Sequence, residues 1–308
     1  MSHHWGYVAV LFSAFLFGVW TTINKILLQS TSPLLIAAIT YLSAGLVLAC
    51  SNLFPTNARI TSLFKLPPRT KTRLVWKDTV LILLIAFSGG VLGPYLFLVG
   101  LNKTTAVSTA LLANTETLFT IGIAFIFLGE RGRLKDYAAM TLLILGAVTL
   151  TTNLNFQTSV AQGTLLGNVL VVGGCLFWGI DNSLSRLLSV KRSLLQLGSL
   201  KGVIGGSLLL GIASLHGSQV IPTPVSIAYL VIVGVFCVGL SLLLFLFSLQ
   251  EVGAMRTSVI FSTSSLFGVV SAFLILRESI TFVQVAAGVM MLFAIYVLSI
   301  PPKRKELL

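Results

Sequence analysis

Two stretches of the chain decide its fold: LFTIGIAFIFLGE, Leu118–Glu130, and LFGVVSAFLILRE, Leu266–Glu278. Each opens on Leu-Phe, runs through an apolar core and closes on a glutamate, at an offset of 148 residues. A second correspondence, at an offset of 161, pairs Phe17-Gly18 and Lys25 with Trp178-Gly179 and Arg186. The difference between the offsets is absorbed by a longer second loop in the first half. Self-similarity on this scale describes a molecule built from two copies of one unit.

The composition says where such a molecule lives. Of 308 residues, 56% are hydrophobic and 9% charged, against roughly 25% charged in a soluble domain. A soluble enzyme, a secreted scaffold and a disordered chain are excluded. At about 20 apolar residues per span, ten runs can be drawn: Trp5–Leu28, Leu34–Phe54, Val80–Leu101, Thr105–Leu128, Leu134–Asn153, Thr164–Leu188, Leu194–Leu215, Val225–Leu249, Gly253–Leu276 and Ile280–Ile300. The first run has no basic segment before it and is too long for a signal peptide, so it reads as a spanning helix. Cys50, Cys175 and Cys237 lie far apart in apolar runs and read as small hydrophobes.

The net charge of +12 would suggest nucleic acid in a soluble protein, but here it reports topology. With the N-terminus in the cytoplasm, the inner side collects Arg59, Lys65, Arg69, Lys71, Arg73, Lys77, Arg131, Arg133, Lys135, Arg186, Lys191, Arg192, Arg256, Lys303, Arg304 and Lys305. The outer side receives only Lys25, Lys103 and Arg277. Such an excess obeys the positive-inside rule and puts both termini in the cytoplasm. Five helices per half is an odd number, so the halves insert with opposite orientation. The expected fold is an all-α membrane protein of ten transmembrane helices in two inverted five-helix repeats, residues 1–154 and 155–308. The expected location is the plasma membrane. Inverted repeats are a common transporter architecture, with the substrate site near the midplane where the halves meet.

The pattern Glu116, then Leu128-Gly129-Glu130-Arg131, then a helix with Gly146 resembles the EamA repeat of the drug/metabolite transporter superfamily. In that family a Leu-Glu-Pro-like segment opens the second part of helix 4 and a Leu-Gly-Glu closes it. Thr117 stands here where proline is expected, and the second copy has Ser264-Ser265 in place of the Glu-Pro pair while keeping Leu276-Arg277-Glu278. The resemblance covers nearly the whole chain and implies a secondary transporter moving a small solute by alternating access through a central cavity. It does not choose the solute, since such folds host many substrates.

Charges within the hydrocarbon cost about 2.5–3.5 kcal/mol each on insertion scales, so every intramembrane ionisable residue is a candidate for function. Glu116 falls about 11 residues into helix 4, near the midplane. Thr105, Thr109, Glu116 and Thr120 share one helical face, at spacings of 4, 7 and 4, a polar stripe suited to a cavity wall. Burial disfavours the charged form of a carboxylate, which makes H+ the candidate coupling ion. Asp181 on helix 6 and Lys201 on helix 7 come to similar depth, roughly 10–12 Å from the inner face, and are expected to pair, as a structural bridge or as a gate. Lys25 and Arg186 are expected to snorkel to opposite faces. Glu130 and Glu278 fall at membrane edges, where they cap or anchor helix ends rather than bind solute.

Trp20 and Trp178 flank the repeat-related glycines at a depth that an interfacial aromatic belt does not explain, and Tyr41 and Tyr95 are similarly deep. Each can line a cavity or pack between helices. Asn114, Asn182 and Ser264 complete the candidates and could bind solute or bond across helices. In helix 3, Gly89-Gly90 and Gly93-Pro94 permit close helix approach and a kink.

His3, His4 and His216 form no metal or triad pattern, and no phosphate-binding loop appears, so neither a cofactor nor an enzymatic activity is expected. The expected function is export of a small amphipathic metabolite such as an amino acid, with the lipid bilayer as the other partner and no nucleic acid. One alternative is exchange of phosphorylated metabolites or nucleotide sugars, which needs cations facing the cavity and would draw on Lys201 and Arg256. Another is a non-transporting membrane scaffold, against which costly buried charges argue. Whether Lys201 is free or neutralised by Asp181 separates the two transport readings.

Overall fold

The computed structural model describes residues 4–53, 75–127, 132–154, 160, 163–189, 194–215, 223–252, 254–298 and 300. All regular structure among them is helical. Leu128, Gly129, Glu130 and Arg131, the basic segment 54–74 and His216 lie outside the described residues.

Ten helices follow in chain order. They are α1 (His4–Leu27), α2 (Pro33–Leu53), α3 (Trp76–Lys103), α4 (Ala106–Phe127) and α5 (Leu134–Thr152), then α6 (Thr164–Ser189) and α7 (Leu194–Leu215). The segments Pro224–Val233, Gly234–Leu240 and Ser241–Val252 make α8, those at Ala254–Phe261, Ser264–Ser271 and Ala272–Leu276 make α9, and α10 is Phe282–Leu298. Among the described residues nine helices are long and apolar enough to cross a membrane, and α10 is a shorter apolar one. This is the expected ten-helix architecture.

The helix starts follow from local chemistry. The Thr105 side chain accepts from the Ser108 N–H to begin α4, and Thr223 accepts from Ser226 ahead of Pro224 to begin α8, each satisfying an amide the first turn cannot. The Asp136 carboxylate accepts from the Arg133 N–H at 2.8 Å at the start of α5.

The interruptions within helices matter more than the ends. α3 is π-helical over Ser88–Leu92, around Gly89-Gly90, and α8 is π-helical over Gly234–Leu240. α4 breaks between Leu112 and Thr115, and α9 breaks at the corresponding place, between Phe261 and Ser264. At both breaks the backbone tightens to bonds three residues back: Asn114 N to Leu111 O at 3.1 Å, Glu116 N to Ala113 O at 3.1 Å, Thr263 N to Ile260 O at 3.0 Å and Leu266 N to Thr263 O at 2.9 Å. Hydroxyls donate to nearby carbonyls there, Thr115 to Leu112 O at 2.7 Å and Ser262 to Val259 O at 2.6 Å. Such side-chain bonding bends helices, so the break forms although Thr117 replaces proline.

The halves pack reciprocally, as an inverted repeat requires. Gly18 of α1 lies against α9, where an added Cβ would come 2.7 Å from Phe267 Cβ; Gly179 of α6 lies against α4, where the same addition would come 2.6 Å from Phe119 Cβ. These four residues are the repeat partners read from the sequence. α2 and α7 meet at Gly45 and Gly202, with a Cβ on Gly202 only 2.6 Å from Gly45 Cα. Small residues are what let two helix backbones come that close. Ser13 of α1 donates to Ser241 O of α8 at 2.7 Å and accepts the halves' contact in return, since Ser241 Oγ donates to Ser13 O at 3.0 Å.

Candidate functional site

The break in α4 leaves Glu116 in the first turn of the helix's second part, partly exposed. Asn182 of α6 donates from Nδ2 to Glu116 Oε1 at 2.6 Å and approaches Thr120 Oγ1 at 3.5 Å. Thr120 itself donates to Glu116 O at 2.9 Å. One turn of α4 therefore presents a carboxylate that one amide of α6 holds through Oε1.

Beside it stands an ion pair. Lys201 Nζ of α7 donates to Asp181 Oδ2 of α6 at 2.6 Å, and Ser185 donates to Asp181 Oδ1 at 3.1 Å. The Asp181 side chain is 2% exposed and that of Lys201 24%. The π segment of α3 makes the room: a Cβ on Gly89 would overlap the Asp181 carboxylate, and one on Gly90 would lie 2.6 Å from Lys201 O. Any other residue at position 89 would displace the pair. A π-helical turn where two glycines meet two charges fits the frequent placement of such turns at functional sites.

Tyr41, buried on α2, has its hydroxyl facing Trp178, and electrostatic interactions join it to Asp181 and Glu116 and join Glu116 to Lys201. Glu116, Asn182, Thr120, Asp181, Lys201 and Tyr41 thus form one cluster across α2, α4, α6 and α7. It holds two carboxylates and one ammonium, and that ammonium is already bound to Asp181.

The sequence model of the EamA-like transporter family matches this chain twice, over residues 4–152 and 165–300. The chain belongs to that family. It is therefore a multi-pass membrane transporter of the drug/metabolite transporter superfamily, acting on a small-molecule substrate. It is 35% identical over 298 residues to an uncharacterized transporter of Methanothermobacter thermautotrophicus, covering 97% of this chain and 87% of that one. It is 23% identical over 239 residues to the uncharacterized transporter YetK of Bacillus subtilis, covering 76% of this chain and 72% of that one. A solved crystal structure shares the fold with a TM-score of 0.61 at 17% identity, covering 95% of this chain and 96% of that one.

Of the other candidates of this EamA transporter, Trp178 borders the cluster through Tyr41. Trp20 is 1% exposed, its ring stacked between Phe17 at 5.7 Å and Phe97 at 5.4 Å, with Trp178 at 6.3 Å. Trp178 packs on Phe97 at 4.8 Å and fills space that only glycine at position 93 leaves open. The two tryptophans are thus a packed aromatic core behind the cluster. Among the described residues the Trp20 Nε1 and Asn114 Nδ2 atoms are buried and have no partner. Tyr95 is exposed, and Ser264, the repeat counterpart of Glu116, places its backbone against Gly18.

The expected stripe on α4 is not continuous. Thr109 is fully buried and donates to Thr105 O at 2.9 Å, while Thr105 is used as a cap. The break between Leu112 and Thr115 shifts the helical phase, so only Glu116 and Thr120 reach Asn182. Ser185 and Gly89 were not legible as partners of Asp181. Gly89 carried a signal, a glycine pair in a span, that does not say what approaches it.

Lys25, expected to reach the interface, and Glu278, expected to cap or anchor a helix end, both have defined partners. Lys25 Nζ donates to Leu101 O at 2.8 Å and Thr104 O at 2.7 Å, and more weakly to Asn102 O at 3.4 Å. Glu278 accepts from the Ala106 and Val107 N–H groups, both at 2.9 Å. Lys25 therefore caps the end of α3 rather than extending to the interface.

Proposed function

We propose that this transporter is a secondary exporter of a small amphipathic metabolite carrying an amine, such as an amino acid, and that Glu116 binds H+ or the substrate ammonium in turn. The observation that carries the reading is the charge arrangement of the cluster. Lys201 is neutralised by Asp181 at 2.6 Å, which leaves the half-buried Glu116 as the charge without an ionic partner among the described residues of the cluster. A site of that sign favours a cation. It disfavours a phosphorylated metabolite, which would need a free ammonium.

Exposure supports the direction of access. Asn182 is exposed and Glu116 and Thr120 are partly so, whereas Asn24, Thr104, Ser108, Thr109 and Asn168, toward the Lys25 end, are buried. The cluster is then reached from the Arg186 end, and on the positive-inside reading that end is the cytoplasm, with both termini. Alternating access follows when groups of helices rock about the site, with Asp181–Lys201 biasing the gate on the Arg186 side.

Counterflow from proteoliposomes tests the substrate class. Labelled pools of amino acids and amines are expected to exchange, and sugar phosphates and nucleotide sugars are not. Exchange confined to the phosphorylated pools would overturn the reading.

A further inference from the structure

We propose that Lys25 and Glu278 form a latch that seals the Lys25 end of the substrate path and releases when that end opens; the inference rests on transport by alternating access. Both residues grip the same short connection, between α3 and α4, from opposite sides of its charge. Lys25 of α1 takes the last carbonyls of α3 at 2.7–2.8 Å, where the helix carries its partial negative charge. Glu278, beyond α9, takes the first two amides of α4 with its two oxygens at 2.9 Å, where the helix carries its partial positive charge. Charge-assisted bonds of this kind are stronger than neutral ones.

The Glu278 arm of the latch crosses the repeat boundary, while the Lys25 arm holds the end of α3 within the first half. α3 and α4 belong to the first half and Glu278 to the second, so moving the end of α9 away from the start of α4 must break the Glu278 bonds. Weaker ties stand behind it: Gln284 of α10 donates to Ser108 Oγ at 3.0 Å, and Thr104 donates to Asn168 Oδ1 of α6 at 2.6 Å. The residue that aims Glu278 is itself held in a disfavoured conformation, Arg277 at φ 54°, one that non-glycine residues adopt at a steric cost. Releasing Glu278 frees Arg277 to leave it. The latch bonds are part-buried at the rim, so water can replace each partner as it parts.

The test is labelling by a membrane-impermeant maleimide in oriented vesicles, with Cys50→Ser removing the exposed native thiol and Cys175 and Cys237 buried. One reporter is Thr109→Cys, fully buried one turn inside the Glu278 cap; the other, in a separate protein, is Asn182→Cys, exposed on the opposite side of the site. Glu278→Gln and, as an independent variant that leaves the carboxylate in place, Lys25→Met are compared with the parent as monodisperse protein. The latch predicts that labelling at position 109 rises at least tenfold while labelling at position 182 falls. Unchanged labelling at 109 overturns it. So does a rise at both positions, which is what mere loosening of a structural cap would give. Labelling needs no solute, so a failure of the Glu116 reading would show in transport and leave this result legible.

Discussion

Asp181 and Lys201 differ in exposure, 2% against 24% of the side chain, and the difference sets what each substitution does. Lys201→Met leaves an unpaired carboxylate buried against Gly89, whereas Asp181→Asn leaves an ammonium with some solvent and with Glu116 in electrostatic range. Removing one member of a buried pair costs about 3–5 kcal/mol, while replacing both with neutral groups is often tolerated. Thermal unfolding in detergent is expected to rank the proteins Lys201→Met below Asp181→Asn, with the double variant above Lys201→Met. A double variant no better than the lysine substitution would mean that the pair is not what the fold responds to. This pairing was legible because the rise per residue of two consecutive helices brings both residues to one depth. Asn182 as the partner of Glu116 was not, because it depends on how α6 is rotated against α4, and hydropathy does not fix that.

α2 and α7 show what the elements demand. Gly45 and Gly202 let the two backbones touch, and a Cβ on Gly202 would lie within 2.6 Å of Gly45 Cα. Gly202→Val is expected to destabilise by about 1–3 kcal/mol, the usual cost of forcing volume into a packed interface. Thermal unfolding checks it against Gly211→Val, where an added Cβ meets nothing within 4 Å. Equal loss at both positions would contradict close packing of α2 on α7. Span number and order were readable from the apolar runs, since hydrocarbon thickness fixes helix length. The break in α4 was readable only through the family resemblance, and Thr117 obscured it. Hydroxyls at Thr115, Ser262 and Thr263 do the bending, and hydroxyls are common enough in spans to give no distinct sequence signal. The stripe from Thr105 to Thr120 failed for that reason, since it assumed one uninterrupted helical phase.

At the scale of the whole molecule, ten helices in reciprocal halves hold the partly exposed Glu116 carboxylate, which in the proposed reading is closed toward Lys25 and reached from the Arg186 end. The repeat that announces this arrangement is visible in the sequence because helix packing preserves the same glycine-aromatic contacts, Gly18 on Phe267 and Gly179 on Phe119. The chemistry is not repeated: Ser264 occupies the position of Glu116, so the pseudo-symmetric fold carries an asymmetric site. The central claim is that Glu116 couples the solute to H+. The most direct measurement is the internal pH of liposomes holding the purified transporter and a pH-sensitive dye, as amines and amino acids are added outside. The wild-type protein is expected to give a solute-dependent pH change, and Glu116→Gln to reduce it at least tenfold. A Glu116→Gln protein that keeps the full pH change would contradict the account.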